Sequence, residues 1–340
     1  MEPVSFAKAK ADTHRARRHL LLGNGFSSGR HEAFGYPSLY RYTLRQDPSF
    51  ARLFPDAATP NFEDAIRGAA DTQEVDRIRE ALIRAVAAVH PHYSLDLTES
   101  ECRTCRLFLQ EFIGNDRPSP GWLFSTNYDL LLHWVLSRQA ATPGVKQHKQ
   151  LAAYDGFERN GEWHPFSPAH VFYLHGAVHI FQRPFNALRL KFATEMIRYE
   201  ESQTWLMIQV AERMAKGELP VFIAEGSGSE KRASIQRLDY PKRAWNRLKN
   251  MLSQPDDVLF TFGHSFGESD NHITEQIAAG AIGTIYYGIF SVADAARAKQ
   301  LKMEWAQART AVGRPPIAVH LYDVQTCAVW GSTTRASELT

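Results

Sequence analysis

The sequence contains few cysteines, no excess of either charge and no long apolar segment. Three cysteines in 340 residues are too few for a disulfide framework and favour a reducing compartment. The 39 basic and 37 acidic side chains nearly cancel to +2, so no global field attracts nucleic acid or an anionic membrane. No run reaches the roughly 18 apolar residues of a membrane span, and the amino terminus lacks the apolar stretch of a signal peptide. We therefore expect a cytoplasmic protein with no membrane partner.

Short apolar runs alternate with helical patterns along the chain. Because these runs are continuous rather than alternating, they indicate strands buried on both faces, as in a parallel sheet covered by helices. The predicted strands are His19–Leu22, Trp122–Thr126, Val171–Leu174, Val258–Phe262, Thr284–Tyr287 and Ala318–Tyr322. The predicted helices are Phe62–Gly68, Thr72–Val89, Thr98–Phe112, Thr194–Lys216, Lys242–Leu252, Asp270–Ala279 and Val292–Gln307.

This alternation predicts an α/β fold, a Rossmann-like doubly wound parallel sheet with helical insertions. We expect a single domain over residues 1–330, with insertions at about 60–118 and 190–252 and a flexible tail at 331–340.

Polar or glycine-rich segments follow four of the predicted strands. In doubly wound sheets, ligands bind outside the carboxyl ends of the strands, so these segments are the informative ones. They read GNGFSSG at 23–29, STNYD at 125–129, LHG at 174–176 and GHSFG at 263–267, the last followed by Glu268, Asp270 and Asn271.

Each segment has a chemical and a structural interpretation. The glycines of the first turn permit close approach of a pyrophosphate, but similar turns also occur without a ligand. Asn127 can hold a water molecule or a ribose hydroxyl. Asp129 can receive an amide, although an acid there is also a common helix cap. His175 is a general-base candidate or a structural histidine.

Taken in order, the four segments resemble the bacterial sirtuin-like NAD-binding domains. Their pattern is a Gly-Ala-Gly-Ser loop, a Thr-Gln-Asn-hydrophobic-Asp segment, a His-Gly pair and a Gly-Thr-Ser-hydrophobic segment. The matching positions are Gly23, Gly25, Ser27, Thr126, Asn127, Asp129, His175, Gly176, Gly263, Ser265 and Phe266.

The sequence departs from the protein deacylases among these proteins. Their zinc ribbon needs four thiolates, whereas here Cys102 and Cys105 stand alone in a predicted helix and only Cys327 lies elsewhere. No zinc and no other metal is therefore expected. The resemblance then implies cleavage of NAD with water, to nicotinamide and ADP-ribose, as in anti-phage NAD hydrolases. If the helical insertions block the pocket, activity would need assembly or a trigger, so we expect a homo-oligomer, with an activator protein as a further candidate partner.

The resemblance also implies roles for individual residues. Asn127 would position the water or the ribose hydroxyl, His175 would take a proton, and Asp129 would hold the nicotinamide carboxamide. NAD would further be contacted by Gly23, Asn24, Gly25, Ser27, Thr126, Gly263, Ser265 and Asn271.

Three other interpretations of the same residues stay open. The pocket could bind NAD or ADP-ribose as a sensor or scaffold without consuming it. Gly263-x-Ser265-x-Gly267 also matches the nucleophile elbow of serine hydrolases, with Asp294 and His320 in the required chain order. A metal site would draw on His175, His179, His264, Asp270 and His272.

A basic stretch in the second insertion is predicted to be a solvated surface, or else a contact for nucleic acid or a nucleic-acid-handling protein. It comprises Lys231, Arg232, Arg237, Lys242, Arg243, Arg247 and Lys249.

Overall fold

The computed structural model describes most of the chain. The described residues are 2–58, 60–91, 96–114, 119–137, 151, 154–157, 162–164, 168–182, 194–196, 206–224 and 227–331. The predicted tail beyond residue 331 lies outside them.

The strands form two sheets. They are β1 (Val4–Ser5), β2 (Arg18–Leu22), β3 (Leu123–Ser125), β4 (Val171–Tyr173), β5 (Gly176–Gln182), β6 (Thr194–Met196), β7 (Pro220–Phe222), β8 (Val258–Phe262), β9 (Thr284–Ile289) and β10 (Ala318–Asp323). Seven of them make a parallel sheet in the order β1-β10-β9-β8-β2-β3-β4, and the others make an antiparallel sheet in the order β6-β5-β7.

The strand order reverses direction at β2. From β2 the chain runs outward to β3 and β4, and it then returns to β2's other side to add β8, β9 and β10. This is the doubly wound Rossmann order with β1 added at one edge, and it confirms the predicted fold class. Ligands of such sheets bind at the reversal, which here lies between the carboxyl ends of β2 and β8.

Helices cover both faces of the parallel sheet. They are α1 (Phe6–Asp12), α2 (Gly25–Ser28), α3 (Tyr36–Gln46), α4 (Phe62–Arg67), α5 (Thr72–Val89), α6 (Glu99–Ile113), α7 (Leu131–Ser137), α8 (Leu206–Ala215), α9 (Gly228–Arg237), α10 (Asp239–Leu252), α11 (Asn271–Ala279) and α12 (Val292–Thr310). None of the described helices combines the length and apolar character needed to cross a bilayer.

Two separate apolar clusters form the core, one on each face of the sheet. Leu20 of β2 packs on the face covered by α1, α5 and α6, whereas Leu21 packs on the face covered by α10, α11 and α12. Every residue of β2 and β8 is buried. The burial of both faces explains why these strands are continuous apolar runs rather than alternating ones.

Helix α6 carries two of the three cysteines. Thr98 and Glu101 form the capping box that opens it, as their spacing predicts. Cys102 and Cys105 are free thiols buried in the core. These cysteines therefore serve as small apolar core residues.

The predicted strands and helices are recovered to within a few residues, with one exception. The expected helix Thr194–Lys216 is wrong at its start, because Thr194–Met196 is β6 and pairs antiparallel with β5. Among the described residues of this range, Leu206–Ala215 forms helix α8. Pairing with a neighbouring strand outweighed the weak helical preference of this segment.

The turns after β2 and β8 touch each other through backbone atoms. Gly23 N donates to the Phe262 carbonyl at 3.0 Å, and Gly25 N donates to the Gly263 carbonyl at 2.9 Å. A Cβ on Gly23 would lie 2.5 Å from the Gly263 oxygen, and one on Gly25 would lie 2.6 Å from the Gly263 Cα. Only glycine permits this approach.

Gly263 carries a further constraint, because its φ of +64° lies in the left-handed region and a Cβ there would meet Gly25 at 2.5 Å. Gly217 has a similar φ of +81° with nothing within 4 Å. We expect Gly217→Ala to cost about 1–2 kcal/mol of unfolding free energy, from the backbone conformation alone. Gly263→Ala should cost at least about 2 kcal/mol more, since the added methyl group must displace backbone.

Denaturant unfolding of both variants measures this difference. Equal losses for Gly217→Ala and Gly263→Ala would show that the contact between the two turns does not constrain the fold.

Candidate functional site

A cavity of about 490 Å³ opens at the carboxyl edge of the sheet, where the strand order reverses. Helices α3, α4 and α5 supply part of its wall, and α4 and α5 belong to the first insertion. Most of the predicted site residues line it: Gly23, Asn24, Thr126, Asn127, Asp129, His175, Gly263 and Ser265. Segments that are far apart in the sequence therefore meet at one place.

A second cavity of about 720 Å³ lies on the other side of the β8 turn. The two cavities share Gly263, His264 and Ser265 in their linings. Trp330 lines the second cavity and donates its indole N–H to the Phe26 carbonyl at 2.7 Å. The β8 turn is therefore part of the wall of both cavities.

Three buried polar side chains form a hydrogen-bonded chain beneath the first cavity. Ser27 Oγ donates to Asp129 Oδ2 at 2.5 Å, and Asn127 Nδ2 donates to Ser27 Oγ at 2.9 Å. Because the serine proton is given to Asp129, its oxygen is an acceptor for Asn127. These two hydrogen bonds place the amide nitrogen of Asn127 on Ser27 and so fix the orientation of its carboxamide.

The carboxamide oxygen of Asn127 has no partner in the described part of the protein. Asn127 is 7% exposed and lines the cavity, yet its Oδ1 accepts no hydrogen bond from the described residues. A buried acceptor without a donor costs about 1–3 kcal/mol. Asn127 therefore has an unused acceptor at the edge of the cavity, and a donor that reached it would recover this free energy.

Asp129 joins the start of α7 to Ser27 through its two carboxylate oxygens. Its Oδ1 accepts the Leu131 N–H at 2.9 Å at the start of α7, and its Oδ2 accepts the Ser27 hydroxyl. Burial raises the pKa of this carboxyl group, while the Ser27 hydrogen bond opposes the increase. Both oxygens thus have partners within the protein, and the predicted contact with nicotinamide stays a prediction.

His175 lies at the turn between β4 and β5, where Gly176 adopts a φ of +78°. Its Nε2 lies 3.0 Å from Nε2 of His272. Burial lowers the pKa of His175 well below the ordinary value, and the nearby charge of Lys231 lowers it further. The imidazole is therefore neutral at physiological pH.

A buried lysine holds two carboxylates beside this histidine pair. Lys231 Nζ contacts Glu63 and lies 3.0 Å from Asp270 Oδ1. Burial acts to lower the pKa of Lys231, but the two carboxylates outweigh burial and raise it. The prediction that Lys231 belongs to a solvated surface was wrong, because its side chain is fully buried. The charge of its two partners explains why it can be buried.

The β8 turn is held rigidly at the boundary of the two cavities. His264 Nδ1 accepts the Phe266 N–H at 3.1 Å, and its Nε2 lies 3.4 Å from Asp270 Oδ2. Phe266 has a φ of +51°, and its carbonyl accepts two N–H groups of Arg297. A bulky residue in the left-handed region is strained, and such strain is concentrated at functional sites.

Two predicted NAD contacts have other surroundings. Ser27 is fully buried beneath the cavity, where its hydroxyl serves Asn127 and Asp129. Asn271 is exposed at the start of α11 and lines neither of the two cavities. The amides of Gly23 and Gly25 bind carbonyls of the β8 turn. Whether these residues contact a ligand stays a prediction.

The residues of the serine-hydrolase interpretation are not brought together. Ser265 follows the carboxyl end of β8, whereas His320 lies within β10 with its ring stacked on Tyr286. Asp294 Oδ2 accepts the Ser291 N–H and hydroxyl in the capping box of α12. The geometry therefore favours a ligand-contacting role for Ser265 rather than a nucleophilic one.

The family comparison covers nearly the whole chain. A family described as "Domain of unknown function (DUF4917)" matches residues 20–330. The chain belongs to this family. None of the curated proteins matches the sequence. The match includes all the residues that line the first cavity and all but Gly331 of those that line the second.

Sequence reasoning missed two residues of the site. Glu63 lies in the first turn after the helix cap Asn61, and apart from its apolar neighbours Phe62 and Ala65 nothing in the local sequence predicts that it is buried. Lys231 lies in a polar helix beside other basic residues, so its sequence neighbours do not distinguish it from a surface lysine. Both are recognisable only once α4 and α9 are placed over the same edge of the sheet.

Ligand atoms of His175, Asp270 and His272 all lie within 4.8 Å of one another, which is a spacing that a metal ion could bridge. His179, which the metal interpretation included, instead packs its ring against His133 at 4.5 Å. Two features oppose metal binding. The Lys231 ammonium lies 3.0 Å from the same Asp270 carboxylate, and the two Nε2 atoms are hydrogen-bonded to each other.

We expect protein incubated with zinc or manganese and then dialysed to hold far less than one ion per chain, because the lysine already supplies the cation. Elemental analysis measures this content. One retained equivalent that His272→Ala abolishes would contradict the expectation.

Proposed function

We propose that the protein binds NAD across the two adjoining cavities and hydrolyses it to nicotinamide and ADP-ribose. The observation that carries this proposal is the buried, oriented carboxamide of Asn127, a residue that lines the cavity at the strand reversal and whose oxygen has no donor among the described residues. A ribose hydroxyl or the attacking water would complete that hydrogen bond.

The position and shape of the cavities support a dinucleotide. Doubly wound sheets bind dinucleotides across the crevice at the strand reversal. The two cavities meet on either side of the Gly263–Ser265 turn, so the two halves of NAD would lie on opposite sides of β8. Their volumes of about 490 and 720 Å³ fall within the range of small-molecule sites.

The charge of the first cavity suits cleavage of the nicotinamide–ribose bond. Five carboxyl groups contribute to its lining, against one guanidinium group, that of Arg67. They belong to Glu63, Asp64, Asp129, Glu268 and Asp270. The Lys231 ammonium, which is not part of the lining, pairs with two of them, so the carboxyl groups still outnumber the cations. Loss of nicotinamide leaves positive charge on the ribose in an oxocarbenium-like state. A negative field fixed in advance stabilises this charge as it develops.

The individual residues then have defined tasks. The leaving nicotinamide already carries positive charge in NAD, so no acid is needed to protonate it. Asn127 orients the ribose hydroxyl or the water, and the Ser27–Asp129 pair keeps its carboxamide in place. His175 is neutral and buried beside it, and accepts the proton that the hydroxyl or water releases.

Asn127→Ala should lower the rate of NAD loss by about 10²–10³-fold, because it removes a pre-oriented polar group at the reacting centre. Release of nicotinamide from NAD by purified protein measures the rate. Asn250→Ala, on the exposed surface of α10, is the matched control and should keep the parent rate. Parental NAD loss in Asn127→Ala would overturn the mechanism.

If calorimetry shows that the parent protein binds NAD while no nicotinamide appears, the protein is a sensor or scaffold.

The lowered pKa of His175 sets the pH dependence. A base must be neutral, and a group with a lowered pKa stays neutral as the pH falls below 6.5. We therefore expect the rate of NAD loss to stay nearly constant between about pH 8 and pH 6. An ordinary histidine would be only about one quarter neutral at pH 6. A profile that falls with a midpoint near 6.5 would show that another histidine is the base.

A further inference from the structure

We infer that His272 is a positioning residue for the proposed reaction: its Nε2 accepts the Nε2–H of His175 and so leaves Nδ1 of His175 as the proton acceptor facing the cavity. This inference rests on the proposed function for the role of His175. The contact between the two rings itself is independent of that function.

The contact between the two histidines holds one proton, although each neutral ring carries a proton of its own. Their Nε2 atoms are 3.0 Å apart, and both side chains are almost completely buried. Burial lowers the pKa of His175 well below its usual value and that of His272 to about 3, so both rings are neutral. One nitrogen of the pair must therefore donate and the other must accept.

The role of His175 decides which nitrogen donates. Nε2 of His175 is occupied by His272, so Nδ1 is the ring nitrogen left for a ligand. Nδ1 can accept a proton only if the resting proton of His175 is on Nε2. That proton then requires an acceptor, and Nε2 of His272 is the atom within reach.

The surroundings hold His272 in the position that this task requires. It lies in the first turn of α11, and its ring stacks on Trp245 at 5.4 Å and 26°. Its backbone carbonyl accepts an N–H of Arg232 at 3.3 Å. The ring therefore has a fixed plane and a fixed distance from His175, as an orienting partner of a general base needs.

Asp270 adds charge to the pair. Its carboxylate lies within 4.8 Å of the coordinating nitrogens of both histidines, and Lys231 anchors it from the other side. When His175 takes a proton at Nδ1, the pair gains one positive charge, and the nearby carboxylate stabilises it. His272 therefore has the role that the aspartate has in a Ser-His-Asp triad, because it accepts the N–H of the ring nitrogen of His175 that does not react.

The His175–His272 pair has two possible proton arrangements, and a ligand that donates to His175 is compatible with only one of them. In the proposed state His272 carries its proton on Nδ1, which has no hydrogen-bond partner in the described part of the chain. In the alternative, His272 donates and Nδ1 of His175 is protonated. A ribose hydroxyl that donates to Nδ1 of His175 is compatible only with the proposed state, so a bound ligand shifts the pair towards it.

Three substitutions at position 272 separate hydrogen bonding from packing. His272→Gln places an acceptor near the position of Nε2, His272→Asn places its amide near Nδ1 and does not reach His175, and His272→Phe keeps a ring against Trp245 without an acceptor. We expect kcat for NAD loss within about fivefold of the parent for the glutamine variant. The other two should lose about 10²-fold in kcat, with KM little changed.

Nitrogen-15 chemical shifts of the His175 ring in the presence of ADP-ribose provide a readout that does not depend on turnover. We expect unprotonated Nδ1 in the parent and in His272→Gln, and a protonated or mixed state in His272→Asn and His272→Phe. If the phenylalanine variant does not fold, the contrast between glutamine and asparagine decides the matter.

Two outcomes would overturn the inference. The first is that Nδ1 of His175 is protonated in the complex of the parent protein with ADP-ribose. The second is that the His175 tautomer and kcat are the same in the parent and in all three variants at position 272. If the parent binds ADP-ribose but never consumes NAD, the proposed function fails, whereas the shifts still test the histidine pair.

Discussion

The structure depends on the backbone contact between the turns after β2 and β8. The amides of Gly23 and Gly25 bind carbonyls of β8 and its turn, and no side chain fits between them. This contact brings the carboxyl ends of two adjacent strands together at the point where the sheet changes direction. The Asn127 and His175 segments follow the neighbouring strands β3 and β4, so their positions relative to Ser265 and Asp270 depend on the same contact.

Burial of polar groups is the second constraint, and each buried charge has a specific compensation. Glu63 of the first insertion and Asp270 of the sheet edge both pair with Lys231 of the second insertion. Removing one partner would leave an uncompensated buried charge, which costs far more than the pair contributes. The ion cluster therefore ties both insertions to the cavity. The Ser27, Asn127 and Asp129 chain satisfies its own donors and leaves one acceptor for a ligand.

The site could be predicted where the chemistry follows a strand directly. Asn127, His175 and Ser265 each stand just after an apolar run, and the topology of a doubly wound sheet sends all such positions to one edge. Glu63 and Lys231 could not be found this way, because they lie on helices whose placement has no local signal. Ser27 was placed correctly near the site, but only the distances show that its hydroxyl joins Asn127 to Asp129 rather than facing the cavity.

The sequence by itself determined the α/β class, the bounds of six strands of the parallel sheet and of most of the predicted helices, the capping box of α6 and the set of segments that meet at the sheet edge. These follow from short-range periodicity, caps and glycine turns, which are local properties of the chain. The tertiary structure alone decided the antiparallel sheet around β5, the burial of Lys231, the orientation of the Asn127 carboxamide and the pairing of His175 with His272. Each of these depends on contacts between residues about a hundred or more positions apart or on strand pairing, and local sequence preference does not encode such contacts.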